Sequence, residues 1–74
     1  MEELTEEEIR TMPTSQARER LPALLSIQQV SIRLGIPYST LAEHVREDKI
    51  PSLRVGRHVR IRRSYVIGLE EQAA

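Results

Sequence analysis

The sequence predicts a small α+β domain: two helices, a two-stranded β-hairpin and a short C-terminal helix. Three observations carry that expectation. Ile27, Val30 and Leu34 recur at helical spacing, and Leu41 and Val45 continue the period after a break at Gly35. From Ser52 to Ile61 the period drops to two, with Leu53, Val55, Val59 and Ile61 apolar and arginines between them. Beyond Ile61 the helical period returns in Val66 and Leu69.

Each element has its own signals. Ser26-Ile27-Gln28-Gln29 is a capping box that starts the first helix of the domain, with Ser26 as N-cap and Gln29 reaching back. Gly35 stops that helix, and Ile36-Pro37 forms the turn. Thr40-Leu41-Ala42-Glu43 resembles a second box, while Pro37 favours an earlier start, so the boundary stays open by about three residues. Helix, glycine-containing turn and helix together make the helix-turn-helix pattern. Ile50-Pro51 closes the second helix. Ser64 is the expected N-cap of a last helix from Tyr65 to Gln72, which Gly68 weakens. This domain spans residues 25–74.

Residues 1–24 read as an acidic arm. Thr5 and Glu8 make a capping box for a short helix there, and Pro13 interrupts it. The arm shows no continuous apolar face, so partial order is the expectation.

Size and composition narrow the function. With 74 residues the chain holds one domain at most, and a domain that small buries only roughly 60% of its unfolded surface. It has no cysteine, and His44 and His58 alone make no metal-ligand set, so neither a metal nor another cofactor is expected. No acid–histidine pair at catalytic spacing and no glycine-rich phosphate loop occur, so no catalytic residue is assigned and the chain reads as a non-enzyme without a small-molecule substrate. No apolar run approaches the ~20 residues a membrane span needs, and the acidic N-terminus is unlike a signal peptide. A cytoplasmic location without membrane contact is expected.

The net charge is zero, yet it is unevenly spread. Residues 1–25 hold six acids against three bases, residues 26–69 hold eight bases against three acids, and Glu70 and Glu71 follow. A basic segment between acidic ends is the footprint of an anionic partner. If all four apolar hairpin residues share a face, Val55 opposes Val59 and Leu53 opposes Ile61, leaving Gly56-Arg57-His58 as a three-residue loop. That register sets Arg54 opposite Arg60. Arg54, Arg57, Arg60, Arg62 and Arg63 then make the free hairpin self-repelling, and a polyanion such as a phosphodiester backbone relieves the repulsion.

The run from Ser26 to Glu70 resembles the excisionase-type helix-turn-helix family, related to the DNA-binding half of MerR-type regulators. The matching pieces are Ser26-Ile27-Gln28-Gln29-Val30, Leu34-Gly35-Ile36, Ser39-Thr40-Leu41, Val45-Arg46-Glu47, Ile50-Pro51, Arg54-Val55-Gly56-Arg57 and Arg60-Ile61-Arg62-Arg63-Ser64. Their order and spacing carry the resemblance; no single piece does. It covers about 45 residues and leaves out the arm. It implies a winged helix-turn-helix, with the second helix in the major groove of double-stranded DNA and the hairpin as a wing on the minor groove and phosphates. Family members include recombination directionality factors, which bind attachment sites side by side, bend them and steer an integrase toward excision. Others are small transcription regulators. The chain departs from the family at Ala42 and Glu43, where larger polar or basic residues are common, at His44, where a large apolar one is usual, and at Tyr65.

The expected contacts follow. On the helix they are Tyr38, Ser39, Thr40, Glu43 and Arg46, with Tyr38 or Ser39 donating to phosphate at the helix start. Thr40 reads more as a cap. Glu43 either accepts from a cytosine amino group or serves only as the cap partner of Thr40. On the wing they are Arg54, Arg57, His58, Arg60 and Arg62; Arg63 is balanced between contact and structure. His44 reads as a partly buried side chain and Lys49 as a solvated charge. The expected partners are duplex DNA, a recombinase of the integrase type and further copies of the chain bound cooperatively; the acidic arm reads first as solvated chain, and otherwise as a contact for a neighbouring wing or a docking segment for a recombinase. A small regulator, or a protein-binding module such as an anti-repressor, remains an alternative.

Overall fold

The computed structural model describes residues 4–73. Glu2 and Glu3 of the acidic arm, and the final residue of the domain, lie outside the described residues. The order of elements is α1 (Glu6–Thr11), α2 (Thr14–Arg20), β1 (Leu24–Leu25), α3 (Ile27–Leu34), α4 (Tyr38–Arg46), β2 (Leu53–Val55), β3 (His58–Arg62) and α5 (Arg63–Ala73). Helices α3 and α4, the β2–β3 hairpin and α5 form a winged helix-turn-helix.

The local signals read from sequence operate as chemistry. Both capping boxes form, Thr5 with Glu8 and Ser26 with Gln29. Gly35 ends α3 in the left-handed region at φ 70°, which a residue without Cβ adopts at no steric cost. The Ser31 hydroxyl donates to the Ile36 carbonyl at 2.6 Å and ties the turn to α3. The start of α4 resolves to Pro37 as N-cap, so Thr40 is the third helical residue and not a cap. The end of α4 is a Schellman motif: the Asp48 amide donates to Val45 and the Lys49 amide to His44. Asp48 occupies the left-handed position of that motif at φ 59°.

The arm is the first correction. Ile9, Met12, Ala17 and Leu21 are all buried in the same core as Leu25, Val30, Leu41, Ile61, Val66 and Ile67. Helix α1 packs on α3, and α2 packs on α5. The apolar face exists only when both short helices stand together. Neither is long enough to show it alone, and Pro13 breaks the period between them. A buried polar node fixes the junction. The Arg33 guanidinium makes a bidentate pair with Glu70, at 3.1 Å from Nε and 2.7 Å from Nη2. It also donates to the carbonyls of Ile9, at 3.0 Å, and Met12. Thr14 adds a hydroxyl bond to Glu70 at 3.0 Å.

The hairpin register is the second correction. Val55 pairs with His58, Arg54 with Val59 and Leu53 with Arg60, so the loop is Gly56-Arg57. Two causes act together. Gly56, at φ 62°, takes the first central position of a two-residue turn, where a glycine suits the type II′ geometry that matches strand twist. The second cause is β1, which the sequence reading lacked: Leu24 pairs with Arg62 and Leu25 with Ile61, in the sheet order β1-β3-β2. Leu25 and Ile61 are fully buried, so the core fixes β3 through β1 and leaves β2 free to slip by one residue. Val55 consequently faces solvent, 58% exposed. Arg54 and Arg60 do not oppose each other, and the direct cross-strand repulsion expected from the sequence is absent.

Helix α5 is the third correction. It begins at Arg63, directly from β3, and Ser64 is an exposed residue of its first turn, not its cap. The Arg63 amide donates to Ala23 at 2.8 Å, and its guanidinium to Leu21 at 2.6 Å, so α5 starts against the β1 segment without a side-chain cap. Val66 and Ile67 are buried, while Leu69 is half-buried.

Candidate nucleic-acid interface

The α4 helix divides its faces cleanly. Leu41 is buried, and Thr40, Ala42, His44 and Val45 are half-buried. Tyr38, Ser39, Glu43 and Arg46 are exposed, with Tyr38 at 53%. Four of the five helix residues expected at the interface are thus exposed, Ser39, Glu43 and Arg46 on one outward stripe and Tyr38 at the helix start; Thr40 is half-buried. Because Pro37 supplies no side-chain cap bond, no side chain covers the first amides of α4.

The wing stands beside the start of this helix. An open cleft of about 340 Å³ is lined by Ser26 and Gln28 of the α3 start, Tyr38 of α4, and Arg57, His58 and Arg60 of the wing. The packing therefore gathers Tyr38 and three of the five wing residues at one place, together with a helix N-terminus that carries positive partial charge. Arg54 and Arg62 are exposed but lie outside this cleft. Arg62 lines two other openings, next to Arg63 and next to Tyr65. The sequence marks Ser26 and Gln28 as helix-start residues, and a capping pattern carries no sign of their place beside the wing. Val55 at the exposed wing tip is hidden in the same way, because a regular apolar period assigns it to the core.

The electrostatics of the face rest on pairing. Arg10, Arg18, Arg20 and Arg33 each have a carboxylate partner: Glu7, Glu71, Glu8 and Glu70. Among the described residues, Arg46, Arg54, Arg57, Arg60, Arg62 and Arg63 have none. Arg60 and Arg63 bond only to backbone carbonyls, of Val59 and Leu21. In a chain of zero net charge, the unpaired arginines thus fall on α4, the wing and the start of α5. Exposed pairs contribute little stability each, but they neutralise the arginines of α1 and α2.

The expected acidic contact for a neighbouring wing looks different in this light. Glu7, Glu8, Glu70 and Glu71 are engaged within the chain, which leaves Glu6 and Glu19 as the exposed acids of α1 and α2 without an ion pair among the described residues.

A family model described as a helix-turn-helix domain matches residues 24–72. The chain belongs to that family, a DNA-binding one. No curated protein and no solved structure matches it at a significant level. Among the described residues, no helix is long and apolar enough to cross a membrane, and no three potential metal ligands come together.

Proposed function

We propose that this chain is a non-catalytic protein of the excisionase type, which binds attachment-site DNA in several adjacent copies, bends it and directs an integrase toward excision in a bacterial cytoplasm. The observation that carries the DNA reading is the set of unpaired arginines on and beside the wing. Arginines that find no carboxylate within the chain are available to phosphates, and each phosphate neutralised releases counterions. The exposed residues of α4, led by Tyr38, Ser39 and Arg46, enter the major groove. Arg57, His58 and Arg60 hold the backbone where the cleft meets α4, and Arg54 and Arg62 extend the contact along the wing. Phosphate contacts of this kind fix position, while base edges and groove shape supply sequence preference.

The excisionase role rests on the resemblance of Ser26 to Glu70. The two long extents of the molecule, 31 and 30 Å, are close to one helical turn of duplex, about 34–36 Å, so adjacent copies fit at roughly one-turn spacing. A small transcription regulator would use the same face, and the arrangement of its sites would differ: a promoter palindrome in place of direct repeats beside a recombination site.

The test is a gel-shift series on an attachment-site fragment, with wild type and the Arg57→Ala/Arg60→Ala variant at two salt concentrations. A ladder of discrete bands that fades with salt and in the variant is expected. A folded wild-type protein that shifts no duplex at low salt would overturn the reading in favour of a protein partner.

A further inference from the structure

Glu43 stands out on the face just described. It is exposed on the outward stripe of α4, one turn after Ser39 and one turn before Arg46. The cap role left open by the sequence is gone: α4 starts at Tyr38 with Pro37 as N-cap, so Glu43 is the partner of no capping box. Among the described residues its carboxylate has neither an ion pair nor a hydrogen bond, and Arg46, close enough along the helix to pair with it, does not. Glu47, one turn further on, is the C-cap of α4, and its carboxylate pairs with Lys49 at 3.5 Å, so Lys49 is engaged there and not with Glu43. Glu43 therefore contributes nothing visible to the fold.

Its position is also unfavourable for general DNA affinity. A carboxylate among unpaired arginines, on a helix facing a polyanion, repels every phosphate it approaches. Duplex DNA offers a carboxylate hydrogen-bond donors in the major groove only at the exocyclic amino groups, and cytosine N4 is the amino group that carboxylates pair with best. Ala42, next to it, has no side chain long enough to compete for the same base edge.

We propose that Glu43 is a specificity-determining residue whose carboxylate accepts a hydrogen bond from the amino group of a cytosine in the major groove. The inference rests on the DNA-binding reading above and adds the base that is read. Repulsion from the backbone then lowers affinity for all sequences, and one correct cytosine restores it.

The experiment selects bound duplexes from a random pool with wild type, Glu43→Gln and Glu43→Ala, each checked for folding by circular dichroism and thermal melting. Wild type should fix cytosine at one position, with a preference of about five- to hundredfold, the range of one good side-chain–base pair. Glu43→Gln should move that single position to adenine, since the amide matches adenine N6 and N7. Glu43→Ala should flatten it while binding random duplex more tightly than wild type, with no loss of Tm. Identical preferences in all three proteins, or a lower Tm in Glu43→Ala with unchanged selection, would overturn the proposal and leave the DNA-binding reading intact. A folded wild type that binds no duplex at low salt would overturn both.

Discussion

Two regions of this chain treat the same side chain in opposite ways. Around α1, α2, α3 and the end of α5, every arginine meets a carboxylate, and one of these pairs is buried, with Arg33 at 4% and Glu70 at 16% side-chain exposure. From Arg46 through Arg63, six arginines have no carboxylate partner among the described residues. The first group holds elements together or keeps a surface neutral. In the second, Arg63 ties the start of α5 to Leu21 through a backbone carbonyl, and the others make no contact with a carboxylate. Total charge is blind to this division. Partner assignment exposes it, and it separates residues kept for folding from residues kept for binding.

The comparison breaks most visibly at the buried pair. Glu70→Ala leaves the Arg33 guanidinium buried without its counter-charge and should cost about 3–5 kcal/mol. For a domain of this size that is most of its stability, and urea denaturation followed by circular dichroism would show it. Ile9→Ala tests the same region through packing and should cost about 2–5 kcal/mol, a loss that a loose arm would not produce.

The other region should behave in reverse. Arg57→Ala/Arg60→Ala should change Tm very little, because substitutions away from structural contacts stay within about 0.5 kcal/mol each. Its duplex affinity should fall, and the slope of log K against log salt should become shallower by about 2. Fluorescence anisotropy over a salt series measures both.

Two smaller effects sharpen the picture. Asp48→Gly relieves a left-handed non-glycine residue in the Schellman motif and should stabilise the domain by about 0.5–1 kcal/mol, read as a rise in Tm. At the other end, the Thr5 backbone amide, then its hydroxyl, donate to Glu8, each at 3.1 Å, and Arg20 stands nearby; together they hold the Glu8 carboxyl below its ordinary range. A lowered folded-state value means that this contribution is present above the ordinary glutamate range and is lost as pH falls through the lowered value. Glu8→Gln, which removes the charge, should therefore lower Tm slightly at neutral pH, with a smaller difference from wild type in acid; Thr5→Ala should lower Tm at every pH, because its hydroxyl also accepts from the Glu8 amide.

What could be read from the chain follows from the range of the interactions. The caps at Thr5 and Ser26 and the stop at Gly35 are local, and the sequence states them directly. The outward stripe of α4 is legible because Leu41 and Val45 define its inner face. The core face of α1 and α2 is not, since Ile9, Met12, Ala17 and Leu21 align only after two short helices fold against α3 and α5. The hairpin register is not legible either. It depends on β1, whose two residues are too few to show a period, and on a glycine turn that outweighs the apolar pattern of β2. The same slip frees Val55 and separates Arg54 from Arg60. The unpaired state of the wing arginines and of Glu43 is a negative fact about three-dimensional neighbours, which no spacing rule contains.

The most direct test of the central claim is the salt dependence of duplex binding by the wild-type protein. If the four wing arginines Arg54, Arg57, Arg60 and Arg62 meet phosphates, log K should fall with log salt at a slope of about −4, with part of that slope lost in the Arg57→Ala/Arg60→Ala variant. A slope near zero, or one that the double substitution leaves unchanged, would mean that the unpaired face serves some partner other than DNA.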